Sequence, residues 1–336
     1  MSESLATARD LTVRFRTHDS TIHAVNGVDF DVHPREVLCI LGESGSGKSV
    51  TLRSLMRLNP PAITQMLGTL RVDGHDIMTA SEQALEEIRG PVVAMIPQEP
   101  MTSLDPVFTI GQQITEAILR HERVRRREAS RRALELLDLV QIPSAARRLA
   151  SYPHELSGGL RQRAMIAIAL ACRPKLLLAD EPTTALDATV QIQILLLLRN
   201  LQQELGMGMI FVTHDLGVAG EIADRIAVMY AGRIVEEGPV DAVMGSPLHP
   251  YSCGLLGATV HEGLRGTMLT TIPGAPPDLR KLPEGCAFAP RCTYTEPRCL
   301  EAVPELRTGM EGRVARCVRL VDHRGDASSS TTTRAA

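Results

Sequence analysis

The sequence predicts an α/β fold built around a parallel β-sheet. The run VLCIL at 37–41 is apolar throughout, and a glycine-rich segment and a helical pattern follow it directly. A second apolar run, LLLAD at 176–180, and a third, MGMIFV at 207–212, each lead into polar residues. Continuous apolar runs of this length are typical of strands that are buried on both faces, as in a parallel sheet covered by helices.

Length and composition favour a soluble protein of more than one domain. The chain has 336 residues, which corresponds to about two domains. Hydrophobic residues make up 44%, aromatic residues only 3%, and Trp is absent, so the core must consist mainly of Leu, Ile, Val and Ala. A net charge of −3 gives no global field that would recruit nucleic acid or an anionic membrane. The chain does not begin with a signal-peptide pattern, and its apolar stretches are shorter than the ~20 residues of a membrane span.

The glycine-rich segment GESGSGKS at 42–49, called the phosphate loop below, has the spacing of a nucleotide-binding motif. G-x-x-x-x-G-K-S between a strand and a helix points backbone amides and a helix N-terminus at phosphates. We expect positive φ angles at its three spaced glycines, and a lysine charge near the β- and γ-phosphates. Ser49 is expected to bind Mg²⁺. The expected nucleotide contacts are Gly42, Ser44, Gly45, Gly47, Lys48, Ser49 and Val50.

Two adjacent carboxylates end the second apolar run, at Asp180 and Glu181. The carboxyl ends of parallel strands face the ligand in folds of this type. We expect Asp180 to hold Mg²⁺ through a water molecule and Glu181 to polarise the attacking water. The alternative is that the pair only caps the turn that begins at Pro182.

Residues 156–163, LSGGLRQR, place two glycines before a helical pattern and resemble the signature LSGGQ of the ATP-binding cassette (ABC) proteins of membrane transporters. The departure is at Leu160. In that family the cofactors are ATP and Mg²⁺, and two cassettes pair head to tail so that each nucleotide lies between the phosphate loop of one and the signature of the other. The resemblance implies that Ser157, Gly158 and Gly159 contact ATP held by a partner cassette.

Four further positions match the family in order along the chain. Gln98, in MIPQEP, matches the glutamine that senses Mg²⁺ and the transmembrane partner, and His214, in VTHD, matches the histidine at the γ-phosphate. With Glu181 these two complete the expected catalytic set. Asp187, in TTALD, matches the loop that crosses between paired cassettes. Phe15 matches the aromatic residue that stacks on adenine, with core packing as the alternative.

The resemblance also implies the domain organisation of a P-loop NTPase. Residues 1–97, with short strands, and 171–247 would form a RecA-like core with an antiparallel β subdomain, and 98–170 a helical subdomain that carries the signature. The basic run at 120–132 is expected to be a solvated helix face rather than a nucleic-acid site, because acids are interleaved and stacking aromatics are absent. Residues 225–239 predict a hairpin that turns at Gly232. A small cysteine-rich C-terminal domain would occupy 248–325, followed by a disordered tail at 326–336.

Other stretches, among them HPYSCGLL at 249–256 and IPGAPPDLRKLPEGCAFAPRC at 272–292, resemble the dipeptide/oligopeptide and nickel importers. Within these, the chain resembles the first of two unlike cassettes. The implied partners are a second, unlike ABC ATPase subunit, two permease subunits and, through the permeases, a substrate-binding protein, at the cytoplasmic face of the membrane. The alternatives are import of nickel or another small solute, and a soluble ABC ATPase acting on nucleic acid or ribosomes.

Four of the seven cysteines lie near the C-terminal end with the spacing C-x5-C-x6-C-x17-C, at Cys286, Cys292, Cys299 and Cys317. Tight Cys-x-x-Cys pairs, the usual signal of structural zinc, are absent from this set. Four thiolates at loop spacings could hold zinc or an iron–sulfur cluster, or could remain free. The importer resemblance implies a 4Fe–4S cluster, with Zn²⁺ as the alternative, and we expect its role to be structural. Arg291, Arg298 and Arg316 lie beside three of the cysteines. They could offset the negative charge of four thiolates, but we expect them to be solvated.

Overall fold

The computed structural model describes residues 4–184, 186–258, 271–309 and 312–320. The predicted disordered tail at 326–336 lies outside the described residues. The first third of the chain forms, in order, β1 (Ala6–Arg16), β2 (Thr21–Val32), β3 (Val37–Leu41), α1 (Lys48–Leu55), β4 (Thr64–Val72), β5 (His75–Asp76), α2 (Glu82–Ile88) and β6 (Val93–Ile96).

A four-stranded antiparallel sheet has the order β2-β1-β4-β5. Strands β1 and β2 are 11 and 12 residues long, so the expectation of short strands here is wrong. They extend further because β1 pairs with β2 on one side and with β4 on the other, which satisfies its backbone groups along most of its length.

The segment 98–170 is helical, as predicted, and contains α3 (Pro100–Ser103), α4 (Ile110–His121), α5 (Arg126–Leu139), α6 (Ala145–Arg148) and α7 (Gly158–Ala169). Thr109 begins α4 with a capping box that it shares with Gln112. The basic run at 120–132 ends α4 and begins α5, and two of its arginines pair with acids: Arg131 with Glu128 and Arg132 with Glu122. The first pair is exposed, as on a solvated helix face, whereas Arg132 is mostly buried.

The chain continues through β7 (Leu176–Asp180), α8 (Ala188–Leu205), β8 (Gly208–Thr213), α9 (Leu216–Ile222), β9 (Arg225–Tyr230), β10 (Arg233–Pro239), α10 (Val240–Gly245), α11 (Pro250–Gly257), α12 (Arg298–Glu301), β11 (Arg307–Thr308) and β12 (Val314–Ala315). Strands β9 and β10 form the predicted hairpin, with φ +80° at Gly232. The second sheet has the order β11-β12-β10-β9-β3-β8-β7-β6, and the five strands from β9 to β6 are parallel.

The parallel strands are buried on both faces. In β3, Cys39 packs into the core on one face, whereas Leu38 and Ile40 pack into the core on the other. The alternation of side chains along a strand explains this division. It also confirms the prediction of a parallel sheet covered on both sides.

The described residues from 271 onward, called the cysteine module below, contain little regular structure: α12, the two-residue strands β11 and β12, and a 3₁₀ turn at Ala289–Arg291. The module joins the large sheet where Glu236 of β10 pairs with Ala315 of β12. Its shape therefore depends mainly on turns and on contacts with the rest of the protein.

Candidate nucleotide-binding site

The carboxyl ends of four parallel strands bring the predicted catalytic residues to one edge of the sheet. Strand β3 leads into the phosphate loop, β7 into Glu181, β8 into His214, and β6 ends two residues before Gln98. The edge is therefore built from segments far apart in sequence, as expected for a binding site at the ends of parallel strands.

The glycines of the phosphate loop serve two different purposes. Gly45 and Gly47 have φ angles of +78° and +107°, which an L side chain rarely adopts. Gly42 has no positive φ, so that prediction is wrong for this residue. A Cβ on Gly42 would lie 2.2 Å from the backbone oxygen of Met229, so glycine is needed there because the start of the loop passes close to the backbone of β9.

Lys48 is almost completely buried at the start of α1. Its ammonium donates to the carbonyls of Gly42 at 2.8 Å and Glu43 at 3.0 Å, and lies 3.8 Å from a Glu181 carboxylate oxygen. Burial lowers the pKa of Lys48 from its usual value, and the nearby carboxylates oppose that change only in part. The charge is thus held at the loop by two carbonyls and one carboxylate.

Ser49 and Asp180 form a set of oxygen atoms suited to Mg²⁺. The Ser49 hydroxyl donates to one Asp180 oxygen at 2.7 Å, while the other oxygen is buried with no hydrogen-bond partner among the described residues. Burial raises the pKa of the Asp180 carboxyl, and the hydrogen bond from Ser49 opposes this. Buried polar atoms normally have partners, and hard oxygen ligands are those that Mg²⁺ prefers. These two residues therefore fit the expected Mg²⁺ site.

Glu181 is the point where the predicted catalytic residues meet. One of its carboxylate oxygens lies 3.1 Å from His214 Nδ1 and 3.4 Å from Gln98 Nε2. The Thr184 hydroxyl donates to the same oxygen at 3.1 Å. Thr184 was not predicted as a site residue, although its place three residues after Glu181 was a possible signal. Glu181 itself has φ +46°, a strained conformation that tends to occur at functional sites.

A cavity of about 340 Å³ opens beside these residues and is lined by Phe15, Ile22, Ala24, Ser44, Gly45, Gly47, Lys48, Ser49, Val50, Gln98, Glu181 and Leu279. The lining combines residues of the phosphate loop with apolar residues from β1, β2 and position 279. Phe15 lines this cavity and also packs against the hydrophobic core. Its position is therefore compatible with both predicted roles, the contact with adenine and core packing. Leu279 was not predicted.

The signature residues do not line this cavity. Ser157 caps α7 by accepting a hydrogen bond from the Leu160 amide, and Gly158 and Gly159 form the first turn of the helix. Asp187 caps α8 in the same way through the amide of Val190. Ser157 and Asp187 are exposed, so these groups are available to a second molecule.

The cysteine module contacts the phosphate loop directly. The Arg291 guanidinium donates to both carboxylate oxygens of Glu43, at 2.8 and 3.0 Å, and to the Pro273 carbonyl at 2.8 Å. The backbone amide of Glu43 also donates to the Tyr251 hydroxyl at 3.0 Å. Only 5% of the Arg291 side chain is exposed, so the expectation that Arg291 is solvated is wrong. Its partner is 248 residues away in sequence.

The four clustered cysteines line one cavity, together with Phe288 of the module and with His249, which precedes α11. Burial raises the pKa of the Cys286 and Cys292 thiols and that of Cys317 to about 11. Burial also lowers the pKa of His249 to about 3, so this side chain is neutral. Among the described residues, no three His, Cys, Asp or Glu side chains are grouped so that they could hold a single metal ion.

Comparisons with known proteins agree with this geometry. The family model described as ABC transporter matches residues 25–184, and the one described as the oligopeptide/dipeptide transporter C-terminal region matches 235–299. A Brucella ovis protein, named as a peptide import ATP-binding protein, is 52% identical over 93% of this chain and 96% of its own. A Brucella abortus protein of the same description is 53% identical over 91% of this chain and 94% of its own.

Solved structures show the same fold. A dimeric ATP-binding cassette with bound ADP and phosphate has a TM-score of 0.63 and 30% identity over 70% of this chain and 98% of its own. A protein from an ABC transporter complex of Clostridium perfringens has a TM-score of 0.63 and 25% identity over 73% of this chain and 92% of its own. No helix in the described ranges is both long and apolar enough to span a membrane. The chain belongs to the ABC transporter family as an ATP-hydrolysing subunit, and it carries the oligopeptide/dipeptide transporter C-terminal region of that family.

Proposed function

We propose that this subunit hydrolyses ATP at the cytoplasmic face of the membrane to drive the import of di- or oligopeptides through two permease subunits. The observation that carries the proposal is the joining of the phosphate loop and its catalytic residues to the C-terminal region at 235–299 in one chain. The relatives named as peptide import ATP-binding proteins align with both parts. Import of nickel or another small solute is the nearest alternative.

The roles within the site follow from the contacts of each residue. Transfer of a phosphoryl group to water requires positioning and neutralisation of charge more than covalent chemistry. Lys48 supplies a buried positive charge, and Ser49 and Asp180 would hold Mg²⁺, which neutralises phosphate charge when bound. Glu181 would orient the attacking water, because His214, Gln98 and Thr184 fix its carboxylate through hydrogen bonds.

The exposed signature turn supports a paired assembly. Ser157, Gly158 and Gly159 would reach ATP held in the phosphate loop of a second, unlike cassette, and Asp187 would lie at the crossing between the two. The dimeric form of the solved cassette with ADP and phosphate supports such pairing. Closure of two cassettes would complete the site, so hydrolysis would be gated by a conformational step. A substrate-binding protein would act indirectly, through the permeases.

The cysteine cavity supports a 4Fe–4S cluster held by Cys286, Cys292, Cys299 and Cys317. A zinc ion needs its sulfur ligands at about 2.3 Å, which draws four thiolates close together. Here the four cysteines line one cavity, and their wide spacing along the chain suits a polynuclear cluster, which is larger than one ion, better than Zn²⁺.

Co-purification tests the function. The full-length chain, tagged and solubilised from its native membranes in mild detergent, should bring down two permeases and a second cassette. ATP hydrolysis by this complex in liposomes should rise when a loaded peptide-binding protein is added, and should not rise with nickel alone. Recovery of ribosomal proteins or DNA in place of permeases would overturn the proposal, and recovery of permeases with stimulation by nickel alone would favour the alternative cargo.

A further inference from the structure

The apolar residues that line the nucleotide cavity outside the phosphate loop come from two distant parts of the chain. Phe15 on β1 and Ile22 on β2 are directly paired in the antiparallel sheet, and Ala24 follows two residues later. Leu279 of the cysteine module lines the same cavity. Since the phosphates bind at the glycine-rich loop, the apolar residues outside the loop are the ones that remain to contact the nucleotide base.

Backbone contacts fix Leu279 at this position. Its carbonyl accepts a hydrogen bond from the amide of His23 at 2.9 Å, between the two cavity residues Ile22 and Ala24. Strand β2 lies at the edge of its sheet, so the bond satisfies a backbone donor that has no neighbouring strand. The Lys281 amide also donates to the Asp278 carbonyl at 2.9 Å, which makes a tight turn around Leu279.

The side chain of Leu279 is only half-buried. Part of its apolar surface packs against the core, and part faces the cavity. An aliphatic group next to an aromatic ring provides an apolar surface of the kind that adenine can cover, because burial of apolar area is favourable without requiring a particular geometry.

We propose that Leu279 is a nucleotide-binding residue, which forms the base-contacting wall of the ATP site together with Phe15 and Ile22. The inference rests on the ATP-binding function and adds to it: the C-terminal region, besides marking the importer type, completes the base pocket. ATP would then contact the cysteine module at its base and the phosphate loop at its triphosphate.

A comparison of ATP with inorganic tripolyphosphate, which has the phosphates but no base, distinguishes a base contact by Leu279 from a general loss of structure. In calorimetric titrations of the full-length protein with Mg²⁺, Leu279→Ala should weaken ATP binding about 5- to 10-fold, because part of an apolar contact is lost. Binding of inorganic tripolyphosphate, which has no base, should not change. Leu279→Met keeps the apolar surface and should restore ATP affinity to near the original value.

Leu300→Ala is the matched control, since this leucine belongs to the same module, is 60% exposed and does not line the nucleotide cavity. It should leave both affinities unchanged. Unchanged ATP affinity in Leu279→Ala would overturn the inference, as would an equal loss of tripolyphosphate affinity. Failure of the unaltered protein to bind ATP would instead contradict the assignment of the site itself, so the two failures are distinguishable.

Discussion

The phosphate loop and the cysteine module are both irregular segments, but they are held in opposite ways. The loop lies between a buried strand and a helix, and a turn of the adjoining hairpin is bonded to it where the Gly232 amide donates to the Ser46 carbonyl at 2.8 Å. The module has only single-turn helices and two-residue strands. It is held by the short pairing of β12 with β10, by the backbone bond from His23 to Leu279, by side-chain contacts such as Arg291 with Glu43 and, we propose, by a metal cluster.

This difference predicts that substitutions in the two regions affect different properties: the rate of hydrolysis at the loop, and the free energy of unfolding in the module. Changes at the loop edge should abolish hydrolysis and leave the fold intact, because the surrounding sheet determines the backbone. Changes in the module should first reduce the free energy of unfolding, because a segment with so little regular structure depends on each of its cross-links. Three experiments test this division.

The largest expected effect is at Glu181. Glu181→Gln keeps the shape of the side chain but removes the charge that would orient water, so the rate of ATP hydrolysis should fall about 100- to 1,000-fold. ATP should still bind and should accumulate in a closed assembly. Steady-state phosphate release and size-exclusion chromatography with ATP measure the two effects.

Glu221→Gln, at an exposed position on α9, is the control and should hydrolyse ATP normally. The thermal midpoint of both variants should match that of the unaltered chain. Normal hydrolysis by Glu181→Gln would show that the carboxylate is not needed for the chemistry.

Cysteine replacement tests the expected effect of the module on stability. After anaerobic purification, the unaltered chain should contain iron and acid-labile sulfide, and Cys292→Ser should lose them. The free energy of unfolding should fall by about 3 kcal/mol, because binding of the metal group is coupled to folding of the module. Iron and sulfide assays with denaturant titration give the measurement.

Cys172→Ser is a matched control, because this thiol lies outside the module and donates to the Ala117 carbonyl, a bond that a serine hydroxyl can also make. It should retain the metal and the stability. Absence of iron from the unaltered chain would contradict the cluster, and zinc in its place would support the alternative ligand.

The smallest of the three effects is expected at Arg291, where the two regions meet. Arg291→Ala leaves the Glu43 carboxylate without its partner, which should cost about 2 kcal/mol, less than for a fully buried pair because Glu43 is 28% exposed. The Michaelis constant for ATP should also rise, since the first turn of the phosphate loop loses an anchor. Denaturant titration and ATPase kinetics measure these changes.

Arg298→Ala removes a neighbouring arginine whose pair with Glu296 is largely exposed. It should change neither quantity. If Arg291→Ala behaved in the same way, the module would be energetically separate from the ATP site, and the comparison would have to be revised.

The sequence predicted local features well. The strands at 37–41 and 176–180, the phosphate loop and the acids after β7 follow from runs of adjacent residues, and the structure brings Gln98, Glu181 and His214 together as expected. The sequence could not predict that Gly42 has no room for a side chain, because the atom that a Cβ would clash with is a carbonyl oxygen on another strand.

The contacts that were missed are long-range. Leu279 and Arg291 gain their roles from contacts with His23 and Glu43, and no periodicity or motif links these positions. A turn leucine and an arginine beside a cysteine are common in any chain. Only the folded arrangement distinguishes them from solvated or packing residues.

The separation between Glu43 and Arg291 also has a consequence for synthesis. The phosphate loop emerges early from the ribosome, but the guanidinium that holds it is made 248 residues later. Domains generally fold from the N-terminus during translation, and contacts distant in sequence form late. The nascent cassette would therefore hold an unfinished ATP site for most of its elongation, and only a nearly complete polypeptide would be able to bind nucleotide firmly.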